Sequence, residues 1–259
     1  LTGSTLASLT HQQPIKTFDG QYTGLKVYAE PIKGNSYVCT VDTSRGRHLD
    51  ASAFFIFDVT KTPYKIVATY NNNEISPMLY AGVVHKMIRN YNDAYTLVEI
   101  NDIGGQVADI LYSELEYSEL FWTKGGAELG KAGSDPYPGI RTTKSTKRIG
   151  CSNLKDLIEK NILLVNDFLL IQEFSTFIQS GTAGTYAADK GRHDDAVMCC
   201  VLFAWLVAQP WFRDLTDSDI RKELFDKQIA QMEDDLAPFM FHSNGLEEEF
   251  EDAGFELLR

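Results

Sequence analysis

Between residues 37 and 70 the apolar positions gather into three short runs, 37–42, 51–59 and 64–70, each rich in β-branched or aromatic residues. Ser44-Arg45-Gly46 and Lys61-Thr62-Pro63 separate them with turn chemistry, and connections this short predict an antiparallel meander. The period then changes. Leu79, Val83 and Met87 recur at helical spacing over 78–91, residues 95–100 form an apolar run of strand length, and a second helix over 103–115 leads to a short strand near 120–122. Strand, helix, strand, helix, strand predicts a parallel half joined to the antiparallel half, an α/β sheet of five strands. Ordered 3-2-1-4-5 in their sequence numbering, these strands place the first beside the fourth.

Residues 123–139 hold five glycines and two prolines and are expected to be a long loop. Helices are predicted over 142–160 and 168–178, the second after Asn166-Asp167 as capping candidates. A Gly/Ala/Thr segment, 181–188, precedes Gly191-Arg192-His193-Asp194-Asp195. Residues 196–209 then form a helix of 14 residues without a charge, which must be buried nearly all round, so whatever starts it is pinned to the core.

Length and composition fit one packed domain plus an appendage. No apolar run is long enough for a membrane span and no signal peptide is visible, so no membrane role is expected. The chain begins with Leu on a polar stretch, which reads as a fragment of a longer polypeptide. Cys39, Cys151, Cys199 and Cys200 lack C-x-x-C spacing, which points to reduced thiols and no structural zinc. The net charge of −12 looks unsuited to nucleic acid until its distribution is considered: residues 214–259 hold 14 acids against 4 bases, and the rest of the chain comes to only −2.

Carboxylates at three places in the chain stand out. Asp42 ends the first strand, where a turn-forming aspartate is the simpler reading. Glu99 lies inside a strand on the face of Leu97, where a carboxylate needs an arginine partner or a metal. Asp194 and Asp195 begin the uncharged helix, where either is a natural cap. Adjacent first and fourth strands bring these acids together. Such a cluster is held by a hard divalent cation, Mg²⁺ or Mn²⁺ rather than zinc, and one or two such ions suit in-line phosphodiester hydrolysis. Asp50 is a candidate ligand for a second ion, or a surface turn residue. His193 is a candidate to orient water or phosphate, or a local hydrogen-bonding residue.

At these positions the chain resembles the nuclease domain of the large terminase subunit of tailed bacteriophages, most of all the T4-like branch. The resemblance rests on Val41-Asp42-Thr43-Ser44-Arg45-Gly46 with Asp50, Val98-Glu99-Ile100-Asn101, Gly191-Arg192-His193-Asp194-Asp195-Ala196-Val197-Met198 and Cys151-Ser152-Asn153-Leu154-Lys155-Asp156-Leu157-Ile158-Glu159-Lys160. It implies an RNase H-like fold and an endonuclease cutting concatemeric double-stranded DNA during packaging in the cytoplasm of an infected bacterial host. The family's three metal-binding acids fall on Asp42, Glu99 and one of the pair Asp194-Asp195, where the resemblance favours Asp195 as the ligand and Asp194 as an auxiliary, with Asp50 as the auxiliary acid for a second ion. It also implies a packaging ATPase domain in the same subunit, a portal and a small terminase subunit as partners. No G-x-x-x-x-G-K-[ST] loop is present, so no ATP site is expected in this chain. Read this way, residues 1–34 are an extension toward that ATPase domain, 35–210 the nuclease domain, and 211–259 an acidic helical tail.

Arg141, Lys144, Lys147 and Arg148 put four bases in eight residues, expected to meet DNA phosphates or to form a solvated helix face. Two other functions stay open on the sequence: an RNase H-like nuclease of junctions or hybrids, and a non-catalytic docking module of a packaging machine.

Overall fold

Six residues of alternating apolar character make Tyr37–Asp42 a strand that pairs antiparallel with Ser52–Asp58, which in turn pairs antiparallel with Tyr64–Asn72. The computed structural model describes residues 1–44, 50–124, 128–129, 137–180, 185–189 and 191–215. Arg45 and Gly46 of the first turn, much of 123–139, residues 181–184 and the acidic tail from 216 onward lie outside the described residues.

In chain order the elements are α1 (Gly3–Ser8), β1 (Lys16–Thr17), β2 (Leu25–Val27), β3 (Tyr37–Asp42), β4 (Ser52–Asp58), β5 (Tyr64–Asn72), α2 (Pro77–Asn90), β6 (Tyr95–Val98), α3 (Gly104–Asp109, continued by a π-helical turn to Glu114), β7 (Trp122–Lys124), β8 (Glu128–Leu129), β9 (Tyr137–Pro138), α4 (Lys144–Glu159), β10 (Leu163–Leu164), α5 (Phe168–Thr176), β11 (Phe177–Ser180), β12 (Thr185–Ala188) and α6 (Asp195–Val207). The main sheet runs β1-β2-β5-β4-β3-β6, with β10 parallel on β5. The β3–β6 pair is parallel and every other pair along that path is antiparallel. This is the mixed, helix-flanked sheet of the RNase H-like fold. The 3-2-1-4 order expected for the first four strands is present, and the fifth touches its neighbour through a single parallel bridge, Thr96 with Leu120.

Three stretches differ from the sequence expectation, the first being 123–139, read as a loop, whose described residues Glu128–Leu129 and Tyr137–Pro138 both pair with Trp122–Lys124. Lys16–Thr17 and Leu25–Val27, in a segment read as an extension, add strands to the β5 edge, where Leu25 and Val27 are buried. The helix expected to run to residue 178 stops at Thr176, and Phe177–Ser180 pairs with Thr185–Ala188 instead, as aromatic and β-branched Phe177 and Ile178 favour.

Strand alternation divides the core in two. Val38, Phe55, Phe57 and Leu97 face the layer of α4, α5 and α6, with Phe57 stacked on Phe203. Cys39, Val41, Phe54, Ile56 and Val98 face α2 and α3, where Phe54, Tyr70 and Tyr80 pack together. Buried in the first layer, α6 has all of residues 195–206 covered, as its lack of charge requires. Among the described residues no helix is long and apolar enough to cross a membrane.

Candidate active site

The same alternation aims the acids. Asp42 follows Val38 and Thr40 on the α6 side of β3, and the Thr40 hydroxyl is tied to α6 through a bond to the Cys199 carbonyl (2.8 Å). Glu99 follows Leu97 on that side of the neighbouring strand, and its N–H bonds the Val41 carbonyl (2.9 Å). Adjacent parallel strands therefore deliver the two carboxylates side by side, and their side chains are hydrogen-bonded to each other. Gly104 lets α3 lie against the backbone here, because a Cβ at that position would overlap the Glu99 carbonyl.

Asp195 arrives from the opposite direction, at the head of α6. It is 8% exposed, and its Oδ2 accepts the Ala51 N–H (3.1 Å) at the start of β4. Asp194 occupies the cap position of α6 without making a side-chain cap bond. Glu173 of α5 does that work across the interface, its Oε2 accepting the Val197 N–H (2.9 Å) while Oε1 has no partner. Relieved of capping, both aspartates are turned to other partners. The Asp50 side chain is 78% exposed; His193 lies between it and Asp195, Nδ1 at 3.9 Å from Asp50 Oδ1 and 4.0 Å from Asp195 Oδ2.

Further residues hold this arrangement. The Tyr80 hydroxyl donates to the Asp42 carbonyl (3.2 Å) and the Ala53 carbonyl (2.5 Å), fixing the ends of β3 and β4. Asn101 donates to Glu99 Oε1 (3.1 Å) and to the Thr142 carbonyl (2.9 Å), linking β6 to the approach of α4. Sequence reasoning gave no role to Tyr80, Asn101 or Glu173. Only Asn101, two residues past Glu99, carried a local signal.

Crowding shows in the titration of these groups. The Asp42 carboxyl is held well above the usual carboxylate range by burial, then by the charge of Glu99 and their hydrogen bond, with Asp195 and Asp194 adding to it. Burial lifts Asp195 to about 6 against the Ala51 N–H, which favours ionisation. Glu173 is pushed up to about 7, again by burial first. Among the described residues no three His, Cys, Asp or Glu side chains already surround one point at ligand distances. The donor set nonetheless fits a hard cation. Carboxylates of buried or half-buried residues stand within reach of one another's charge, and the Thr43 and Thr142 hydroxyls are buried without a partner.

The four bases separate. Lys144 and Arg148 are exposed on α4 and Arg141 lies over the Tyr137 ring (5.5 Å), whereas Lys147 turns inward to Asp194, Nζ to Oδ2 3.3 Å.

A mixed sheet whose central parallel pair and covering helix bring acids to one end defines an α/β protein of the RNase H-like type. The chain belongs to the family described as the terminase RNaseH-like domain, whose model matches residues 39–204. In fold it is similar to the large terminase nuclease of thermophilic phage G20c with bound magnesium (TM-score 0.59, 20% identity, 78% of this chain and 94% of that one). The cobalt-bound form of the same nuclease gives a TM-score of 0.58, also at 20% identity over 78% and 94% of the two chains. The Thermus phage P74-26 large terminase nuclease domain gives 0.57 at 20% identity, covering 77% and 91%.

Proposed function

We propose that this chain is the nuclease part of a phage large terminase subunit, of the T4-like branch. In this reading it is an endonuclease, dependent on one or two Mg²⁺ or Mn²⁺ ions, that cuts concatemeric double-stranded DNA during genome packaging in the host cytoplasm. The observation that carries this reading is the convergence of Asp42 and Glu99, from adjacent parallel strands, with Asp195 at the head of a helix from the far end of the domain. Divalent metals are bound by the G20c nuclease of the same fold, which supports the cation without assigning its ligands here.

Asp42, Glu99 and Asp195 would hold the cation, and Asp50, which His193 stands beside, would be a ligand to a second. A divalent cation bound there supplies Lewis-acid activation of water and charge stabilisation at the phosphorus. The protein's own contribution is placement. Tyr80 and Asn101 fix the backbone and carboxylate on which Asp42 and Glu99 act, and His193, at the rim, is positioned to hold a water or a phosphate oxygen. Arg141, Lys144 and Arg148, where α4 approaches Glu99 through Thr142, are placed to meet backbone phosphates. Phosphates carry no sequence information, so cutting is expected to show little sequence preference. The packaging ATPase domain, the portal and the small terminase subunit are the partners this reading assigns.

Plasmid digestion in Mg²⁺ or Mn²⁺ tests it. Wild type is expected to linearise and degrade the plasmid, while Asp42→Asn, Glu99→Gln and Asp195→Asn each lose at least about a hundredfold in rate, the scale on which a lost transition-state contact is felt. Equal behaviour of wild type and variants would sink the catalytic reading. Strict dependence on branched or hybrid substrates would transfer it to a junction or hybrid nuclease.

A further inference from the structure

Asp194 and Asp195 are sequence neighbours at the start of one helix, yet they face different chemistry. Asp195 is nearly buried and accepts the Ala51 N–H, just before β4 in the middle of the sheet. Asp194 is 27% exposed at its side chain and meets Lys147, itself 23% exposed, with Nζ 3.3 Å from Oδ2. The lysine does not reach this place by chance of a flexible surface chain. Its ammonium lies over the Phe177 ring (5.5 Å), and α4 is pressed against α6 one turn further on, at Gly150, where a Cβ would stand 2.5 Å from the Val201 carbonyl oxygen. Asp194 is near enough to Asp42 for its charge to act there, so its carboxylate is within the electrostatic reach of the acid cluster.

We infer that Lys147 is a positioning residue: its ammonium occupies Asp194, keeps that carboxylate out of the ligand set, and so confines the cation to Asp42, Glu99 and Asp195. The inference rests on the metal-dependent reading above and removes Lys147 from the bases that meet DNA phosphates. A lysine built into the protein carries one positive charge at a place where a second acid would otherwise draw a second ion. It thereby resolves which aspartate of the pair serves as ligand.

The test is Mn²⁺ binding to the full chain without DNA, by calorimetry and by the paramagnetic signal of free Mn²⁺. Lys147→Met, with Lys147→Gln as a second neutral side chain, is expected to tighten Mn²⁺ binding about tenfold or to add a second equivalent, because the Asp194 carboxylate is released toward the cation. The same substitutions in an Asp194→Asn background are expected to change nothing, since no carboxylate is left to release. Unchanged binding in K147M and K147Q overturns the inference, and so does an equal change in both backgrounds, which would be a long-range charge effect. Wild type that binds no Mn²⁺ at all would remove the metal reading together with this one, whereas wild type that binds while the variants stay flat removes this one alone. Lys147→Met is also expected to leave the salt dependence of DNA binding unaltered, while Lys144→Gln and Arg148→Gln each lower its slope by about one. A drop of that size in K147M would return Lys147 to the DNA phosphates.

Discussion

Glu173 shows how a single residue can serve a site without touching it. Its carboxylate is 5% exposed, accepts the Val197 N–H with one oxygen and leaves the other without a partner. A carboxyl whose folded pKa, about 7, stands above its usual value near 4.5 binds its proton more tightly in the folded state. The stability it contributes is complete below pH 4.5 and is lost as pH rises through 7, by roughly a few kcal/mol. Metal-free protein is therefore expected to lose thermal stability across pH 4.5–7, and Glu173→Gln, which keeps an acceptor for the cap, should flatten that part of the profile. A Tm profile unchanged by the substitution would refute the assignment. Residues of this kind are the ones the sequence hides. Glu99 was legible because alternation with Leu97 is a local rule, and the Asp194-Asp195 pair because it heads an uncharged helix. The cap role of Glu173 and the ion pair of Lys147 depend on how α4, α5 and α6 settle against one another, which no local pattern encodes.

At the scale of elements, close approach between α4 and α6 is what the site side of the sheet demands. Gly150 is where the helices meet, and an added methyl would press on Val201 with its Cγ1 at 2.7 Å as well as its carbonyl. Gly150→Ala is expected to cost about 1–3 kcal/mol, as overpacking does. Gly82, exposed in the middle of α2 with nothing within 4 Å of a would-be Cβ, is the counterpart. Gly82→Ala should stabilise by about 0.5–1 kcal/mol through helix propensity. Chemical denaturation of both variants measures the pair, and equal signs would contradict the packing described. Helix and strand identities were legible wherever the period was clear, as in α2, β3 to β6 and α6. The short strands β1 and β2 are too brief to show a period; β2 exists because β5 offers it an edge and β1 because β2 extends that edge, a tertiary reason invisible to periodicity.

For the whole molecule, charge is the unusual feature. Residues 218–259 carry 12 acids against 4 bases, while Lys144 and Arg148 are exposed on α4. A chain ending at Asp217 is expected to bind duplex DNA several-fold more tightly at low salt than the full chain, with the difference fading as ionic strength rises. Equal affinities would mean the acidic segment does not govern DNA approach.

The parallel β3–β6 seam has a consequence in time. Antiparallel neighbours can zip from a turn, but β6 reaches β3 only after α2 has crossed over, and Asp195 comes last, from beyond α5. Contacts so distant along the chain form late, after much of the loop entropy has been overcome. A chain still emerging from the ribosome, or one halted half-folded, lacks the acid cluster altogether. Nuclease activity is therefore expected only once α6 has docked on β3, and not in a chain whose folding stops short of that step.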